Sequence, residues 1–339
     1  MKVLASNATI PVERALNLLE IWRTRNFDAD RLLKRSRISK VLLSSSKARL
    51  SQSQFSSFFN SAALLGRDES WGLCPVPIPI GSFALMCRSV ARQPTLGAAL
   101  RTGLNCYHVT ARDFEARLTL TDERLARIRL TDRISDPECR RQFHATFVFF
   151  LYGMMCWVTG RRLPLAGVDF VFPRASASAE PARVYRTRVS YSSGYTELRF
   201  DAGLLQLANT QDAVSAEDFL RKSPGNLAVA FRDTASAAER VRRYLRRNLG
   251  EGSSLENMAG VLQLSVATLR RRLLDDNTSF QRLKDEVRRD VSIEYLVSTN
   301  LPLEELAMRT GFVEVSAFHR AFKRWTGCAP GDYRKRSAV

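Results

Sequence analysis

The chain has 339 residues, 45% of them apolar, which is enough for about two packed domains and argues against wholesale disorder. Lys and Arg outnumber Asp and Glu by 52 to 34, and the net charge of +18 favours polyanionic partners, nucleic acid first and an anionic membrane surface second. Six cysteines without a C-x-x-C pair, and only three histidines, argue against a zinc site, so no metal or cofactor is expected.

In chain order, residues 11–25 have a helical period, with Ala15, Leu18, Leu19 and Trp22 on one face and Pro11 suited to the first turn. Helical character continues to about residue 66, broken by a serine-rich stretch at 44–57. Residues 71–80 carry three prolines and predict an extended connector. Helices are predicted over 81–91 and 95–108, the second capped by Thr95. The period then changes to alternation. Residues 112–120 and 124–131, joined by Thr121-Asp122-Glu123, predict a β-hairpin. Asp136-Pro137 opens a helix near 137–159 that is apolar over most of its surface and is expected to be central. Strands are predicted over 167–173, 183–190 and 195–200. Several cysteines, such as Cys156, sit in apolar runs and read as buried free thiols.

The breaker Ser223-Pro224-Gly225 marks a boundary: an α+β domain over 1–222, a linker over 223–235, and an all-α domain over 236–339. Charge does not locate a site, because residues 225–339 hold 20 Lys/Arg against 14 Asp/Glu, only part of the excess. Met1 to Ala5 shows no signal-peptide core, and the apolar run Phe147 to Val158 is too short to cross a bilayer as a helix. A cytoplasmic chain with no membrane partner is expected.

The all-α part contains a weak repeat. Leu255, Glu256, Ala259 and Leu264 fall 48 residues before Leu303, Glu304, Ala307 and Phe312, and Leu269 and Leu273 fall 49 before Phe318 and Phe322. Each copy follows a helix-turn-helix grammar: a short helix with a small residue (Ala259, Ala307), a tight turn, and a second helix. Gly311 suits a left-handed turn position, Ser265 suits an N-cap, and Glu314 is the weaker cap in copy two. The second helices bury Leu269 and Leu273, or Phe318 and Phe322. They expose Ala267, Arg270 and Arg271, or Ser316, His319 and Arg320. A long helix near 279–298, with a core stripe of Leu283, Val287 and Val291, would hold both units so that their second helices enter successive major-groove turns, roughly 34 Å apart. The bland alternative is two helical hairpins with solvated basic faces; tandem duplication weighs against it. Phe322 and Trp325 continue the buried stripe and read as core.

The stretch GFVEVSAFHRAFKRWTGCAPGDYRKR, residues 311–336, together with TLRRRLLDDNTSFQRLKDEVRRD, resembles the C-terminal region of AraC/XylS-type bacterial transcription regulators over about 236–336. Val313 and Val315 depart from the Ser and Pro common there. The resemblance implies contact of one chain with two adjacent major-groove segments of double-stranded promoter DNA. Ala267, Arg270 and Arg271 would face bases first, then Ser316, His319 and Arg320, with Lys323 and Arg324 nearer the phosphates. Arg320 can instead serve the fold by pairing with an acid such as Glu305. Residues 78–107 resemble, more loosely, the effector domain of the subgroup that includes arabinose-type and ornithine-utilisation regulators. This implies a small-molecule sensing or dimerisation role, and a small-molecule effector, RNA polymerase and a second copy in a homodimer are the partners expected. Arg88, Arg92, Arg101, Tyr107 and His108 are candidates to line a pocket for an anionic effector, against a reading of each as a solvated helix residue. His108 and His144 read as ordinary boundary or core histidines.

No catalytic constellation is present, so an enzyme is not expected. The acceptor-cysteine motif of DNA alkylation-repair proteins with a similar DNA-binding unit is missing. A non-specific architectural DNA binder is the remaining alternative; it would bind without sequence preference and with a steep salt slope.

Overall fold

The computed structural model describes residues 9–38, 42–45, 47–174, 184–227, 236–249, 253–276 and 278–337. The expected linker therefore lies outside the described residues over 228–235, as do Met1 to Ala5 and residue 183. The chain separates into two compact units. One comprises residues 1–16, 33–58 and 233–339, and the other 17–32 and 59–232.

Strand β1 (Ile10–Pro11) pairs antiparallel with β2 (Arg49–Leu50), and the Arg49 guanidinium donates to the Thr9 hydroxyl and carbonyl at 2.7 and 2.6 Å. Pro11 is thus a strand residue, not the first turn of a helix. Its missing N–H costs nothing where its position in a two-residue strand needs no donor. Helix α1 (Glu13–Thr24) starts two residues later and buries Ala15, Leu18, Leu19 and Trp22, the expected face. After α2 (Ala29–Ser36), helix α3 (Gln52–Gly66) begins inside the serine-rich stretch expected to break helix. Ser51 is the reason. Its hydroxyl accepts the Gln54 N–H while its own N–H reaches Gln54 Oε1, both at 3.1 Å, a reciprocal cap. Phe55, Phe58, Phe59 and Ala62 then bury at helical spacing.

The second unit carries an α+β arrangement. The connector at 71–80 is held from below by Asp68, whose carboxylate accepts from the backbone of Ser70, Gly72 and Ile78 at 2.7 to 2.8 Å. Helices α4 (Ser82–Ala91) and α5 (Leu96–Thr110) follow, and Thr95 caps α5 by accepting from the Ala98 N–H. The hairpin β3 (Phe114–Leu120) and β4 (Leu125–Asp132) is close to the expected register; Arg124 has a left-handed φ of 58° and turns the chain, so β4 starts one residue later. Asp136 and Pro137 open α6 (Pro137–Thr159), which packs through Val148, Phe149, Tyr152 and Met155 into the main core.

Strands β5 (Gly167–Asp169), β6 (Val189–Ser190) and β7 (Thr196–Asp201) complete a sheet of order β3-β4-β7-β5-β6. Ala126, Ile128 and Leu130 of β4 pair with Phe200, Leu198 and Thr196 of β7 on the buried face, while Arg129 and Glu197 pair at 3.0 Å on the other. Two predicted strands are shorter than expected. β5 stops at Asp169, and within the described residues 184–190 only Val189 and Ser190 are strand, Val184 and Tyr185 being helical and Arg186 taking a φ of 50°. Helix α7 (Ala213–Lys222), which the sequence reading did not place, is closed by a capping box between Asp212 and Ser215. Phe219 on it stacks on Trp157, with ring centroids 4.3 Å apart.

His144 is fully buried, as expected for a core histidine. Its ring nitrogens meet Thr196 Oγ1 at 2.8 Å and Asp132 Oδ2 at 2.9 Å. Burial acts to raise the Asp132 carboxyl, but its bonds to His144, the Ile134 N–H and Arg140 hold it below the ordinary range. All six cysteines are free. Cys74, Cys87, Cys139 and Cys156 are buried, and burial pushes the Cys156 thiol up to about 11.

The regular elements described from residue 236 onward are helices: α8 (Ala237–Arg247), α9 (Leu255–Val261), α10 (Val266–Asp275), α11 (Phe280–Ser298), α12 (Leu303–Arg309), α13 (Val315–Thr326) and α14 (Pro330–Ser337). Leu269 and Leu273 of α10 pack with Val241 and Leu245 of α8 and with Leu283 and Val287 of α11. Each such residue, fully buried, stabilises by about 1.5–3 kcal/mol. Arg242 of α8 meets Glu286 of α11 at 3.0 Å; burial acts to raise that carboxyl, and the guanidinium keeps it low. The second repeat buries Leu306, Ala307, Phe318 and Phe322, and Tyr333 of α14 lies edge-on to Phe322 with centroids 5.4 Å apart.

This helical unit also takes in the N-terminal strand pair. Tyr333 donates its hydroxyl to the Arg49 carbonyl, Ser45 donates to the Thr326 carbonyl at 3.1 Å, and Thr9 donates to the buried Asp290 carboxylate at 2.6 Å. Asp290 also accepts from Arg289 at 2.8 Å.

Candidate nucleic-acid interface and ligand cavity

The two turns of the repeat have the same geometry. In copy one the N–H groups of Leu262, Gln263 and Leu264 donate to the carbonyls of Met258, Gly260 and Ala259. In copy two Thr310, Gly311 and Phe312 donate to Leu306, Met308 and Ala307. Gln263 and Gly311 are both left-handed, at φ of 55° and 80°. Ala259 and Ala307 are buried where the helices approach. The copies differ by one residue after the turn. Val313 is that extra residue, and it is 99% exposed.

The second helices are capped differently. Ser265 accepts from the Thr268 N–H at 3.1 Å, whereas Glu314 makes no side-chain cap. Instead the Ser316 hydroxyl donates to Glu314 Oε2 at 3.1 Å. Glu314 is exposed, so it leaves α13 without a cap and sets a carboxylate beside a residue expected to face DNA. Glu314→Ser is expected to stabilise the protein by about 0.5–1 kcal/mol and to tighten binding to its DNA site. Thermal unfolding and a gel-shift titration check this; lower stability with unchanged affinity would count against it.

Ala267, Arg270 and Arg271 on α10 are exposed, and so are Ser316, Arg320, Lys323 and Arg324 on α13. His319 is half-buried, its ring 6.0 Å from Phe318. Arg270, Arg271, Arg320 and Lys323 have no ion-pair partner among the described residues, so their charge is available to an outside anion. Glu305, a possible partner for Arg320, pairs with Arg309 at 2.6 Å instead. Arg324 has only a long contact with Asp285, at 3.7 Å. Arg272, which the sequence reading left out, is also exposed. Phe322 is fully buried, and Trp325 is half-buried with its ring 6.0 Å from Phe312.

The second unit contains a cavity of about 160 Å³ among α3, α4, α5 and α6. Trp71, Phe83, Phe147, Phe150 and Met154 line it, with Glu69 the one charged side chain in its wall among the described residues. Glu69 is fixed by the N–H groups of Gly81 and Phe83, each donating to one of its oxygens at 2.7 Å. Of the five effector candidates, Tyr107 lines this cavity and the other four do not. Arg88 is on the surface, paired with Glu217 at 2.6 Å, and His108 is exposed 3.3 Å from Glu115. Arg92 and Arg101 are exposed. The cavity wall was legible only as burial: the nearly all-round apolar surface of α6 indicates a central helix but not a void beside it.

Tandem helix-turn-helix units with exposed cations on their second helices, in one chain with an apolar cavity, fit a ligand-responsive DNA-binding regulator. Residues 27–209 match the model of the arabinose-binding domain of AraC transcription regulators, and residues 258–336 match a helix-turn-helix domain. The chain therefore belongs to the AraC family of transcription regulators, and it is an effector-controlled, DNA-binding regulator of transcription. It is 28% identical over 331 residues to the ornithine utilization regulator of Pseudomonas aeruginosa, covering 96% of each chain. It is 35% identical over 106 residues to the transcriptional regulator VirS of Mycobacterium tuberculosis, a match covering 31% of each chain. The crystal structure of the regulator CdpR from Pseudomonas aeruginosa is similar over 82% of this chain and 96% of that one, at 19% identity and a TM-score of 0.32. Among the described residues no helix is long and apolar enough to cross a membrane.

Proposed function

We propose that one chain reads two adjacent major-groove segments of a promoter, α10 through Ala267, Arg270 and Arg271, and α13 through Ser316, His319 and Arg320. Lys323 and Arg324 lie nearer the phosphates. The observation that carries this reading is the pair of matching turns, each followed by a helix with exposed cations, Arg270 and Arg271 or Arg320 and Lys323, that have no acid partner among the described residues. Arginine on such a helix can hold guanine through two hydrogen bonds, or a phosphate through one or two. The second unit senses the effector, and effector binding shifts the population between forms of different DNA affinity or polymerase contact. The protein acts in the cytoplasm, at the nucleoid, as a regulator and not as an enzyme, and a homodimer is the assembly that suits a paired promoter site.

The test is a DNA site recovered by selection from genomic fragments. Arg270→Ala is expected to weaken binding to that site by about 1–3 kcal/mol and to relax preference at one base pair. Equal loss on all sequences would make Arg270 a phosphate contact. No preference of the intact protein for any selected fragment over random DNA would refute base reading altogether.

A further inference from the structure

The cavity has a chemistry that is distinct from its location. Its wall is built mainly from aromatic and aliphatic side chains, and among the described residues no Lys, Arg or His lines it and Glu69 is its one charged group. The inference drawn here rests on the reading of the second unit as the effector-sensing part. We infer that the cavity takes a small amine: an apolar body about the size of one aromatic ring, with an ammonium group held by the Glu69 carboxylate.

Size comes first. An apolar cavity of about 150 Å³ holds a benzene molecule, so one of about 160 Å³ holds a single ring with a short substituent. A pentose fits poorly. Its hydroxyls would lose water and face Phe147, Phe150 and Met154, and an unpaired hydroxyl in such a place is costly. Charge comes second. A carboxylate ligand would bring a second negative charge into a wall that has one already and, among the described residues, offers no cation to offset it. An ammonium group meets the opposite situation. Both Glu69 oxygens accept one backbone N–H each, which fixes the carboxylate in place and leaves lone pairs for a ligand donor. Burial raises the Glu69 carboxyl, an effect that the Phe83 and Gly81 N–H groups oppose and that a cationic partner would also oppose. Aromatic faces around the cavity favour a cation over an anion as well. Two other polar groups in the wall are engaged: the Asn60 amide donates to the Ser223 carbonyl at 3.1 Å, and the Ser70 hydroxyl donates to Asp68 at 2.6 Å. The earlier expectation of an anionic effector held by Arg88, Arg92, Arg101 and His108 finds none of those four side chains in this wall.

The experiment uses the full chain and three probes that share a skeleton: phenethylamine, phenethyl alcohol and phenylacetate. Binding is measured by calorimetry on the protein as purified and on Glu69→Gln, with Ala99→Leu as a variant that fills the cavity. The amine is expected to bind about tenfold more tightly than the alcohol, the worth of one charge-assisted hydrogen bond, and the acid is expected not to bind. Glu69→Gln is expected to erase the preference for the amine while keeping alcohol binding, and that retained binding reports an intact fold. Ala99→Leu is expected to weaken both. Tighter binding of phenylacetate than of the amine, an unchanged ranking in Glu69→Gln, or no binding of any probe at millimolar concentration would overturn the inference. The affinity of the protein for its selected DNA site, with and without bound amine, is a separate readout. If the amine binds in the expected order and DNA affinity does not move, the cavity chemistry stands and its role as the effector site falls.

Discussion

Gly311→Ala is expected to unfold the second helix-turn-helix unit and to abolish DNA binding. Two costs add. The backbone at Gly311 is left-handed, which costs an alanine about 1–2 kcal/mol. The added Cβ would also lie 2.2 Å from the Leu249 carbonyl oxygen and 2.9 Å from an Arg288 nitrogen, both inside contact distance. Arg288 cannot simply swing away, because it donates to the Gly311 carbonyl at 2.6 Å and lies over the Phe312 ring. Relieving that overlap by moving backbone costs roughly another 1–3 kcal/mol, a large share of the stability of an ordinary domain. Gln263 supplies the control. It occupies the same turn position with a φ of 55°, so a left-handed angle alone is tolerable there. Gln263→Ala should therefore cost less than about 1 kcal/mol, within the range of ordinary surface substitutions. Denaturant titrations of the two variants separate strain from collision; similar losses in both would remove the role given to Leu249.

The second large effect is expected at Asp290. This carboxylate is buried in α11 and accepts from Thr9 at one end of the chain and from its neighbour Arg289. Asp290→Ala would leave a mostly buried guanidinium and a buried hydroxyl without this acceptor, and the expected loss is about 2–4 kcal/mol. Asp290→Asn keeps an acceptor for Thr9 and should lose less. Thr9→Val removes one hydrogen bond, for about 1 kcal/mol. Because Thr9 and Asp290 touch, their losses should not add, and the double variant should fall short of the sum. Strict additivity in chemical unfolding would show that the N-terminal strand does not act on the helical unit through this bond.

What the sequence made legible follows from range. Thr95, Asp136, Ser265 and the β3–β4 hairpin depend on neighbours a few residues away, and each was readable from type and spacing. The repeat was readable for the same reason, down to the left-handed Gly311. Pro11 and Ser51 misled because each residue has two good uses. Proline serves a helix start or a strand, and serine serves a loop or a cap, and only the partner decides. For Pro11 the partner is Arg49, and for Ser51 it is Gln54. The Thr9–Asp290 bond spans 281 residues, beyond any local pattern. The candidate DNA-facing residues were legible as an exposed helical stripe. The cavity was not, because a stripe of apolar positions says which side chains leave water, and not whether they fill the space they enclose.

The one-residue offset between the two repeats has a practical side. Both turns finish their hydrogen bonds before Val313, and that side chain touches almost nothing but water. Length is thus accommodated outside the scaffold, at a joint where the chain can be cut and rejoined. Anyone exchanging reading heads between the copies should align Ser265 with Glu314, not with Val313. A graft made on the wrong numbering would turn each transplanted helix by about 100° and present its buried stripe to the duplex.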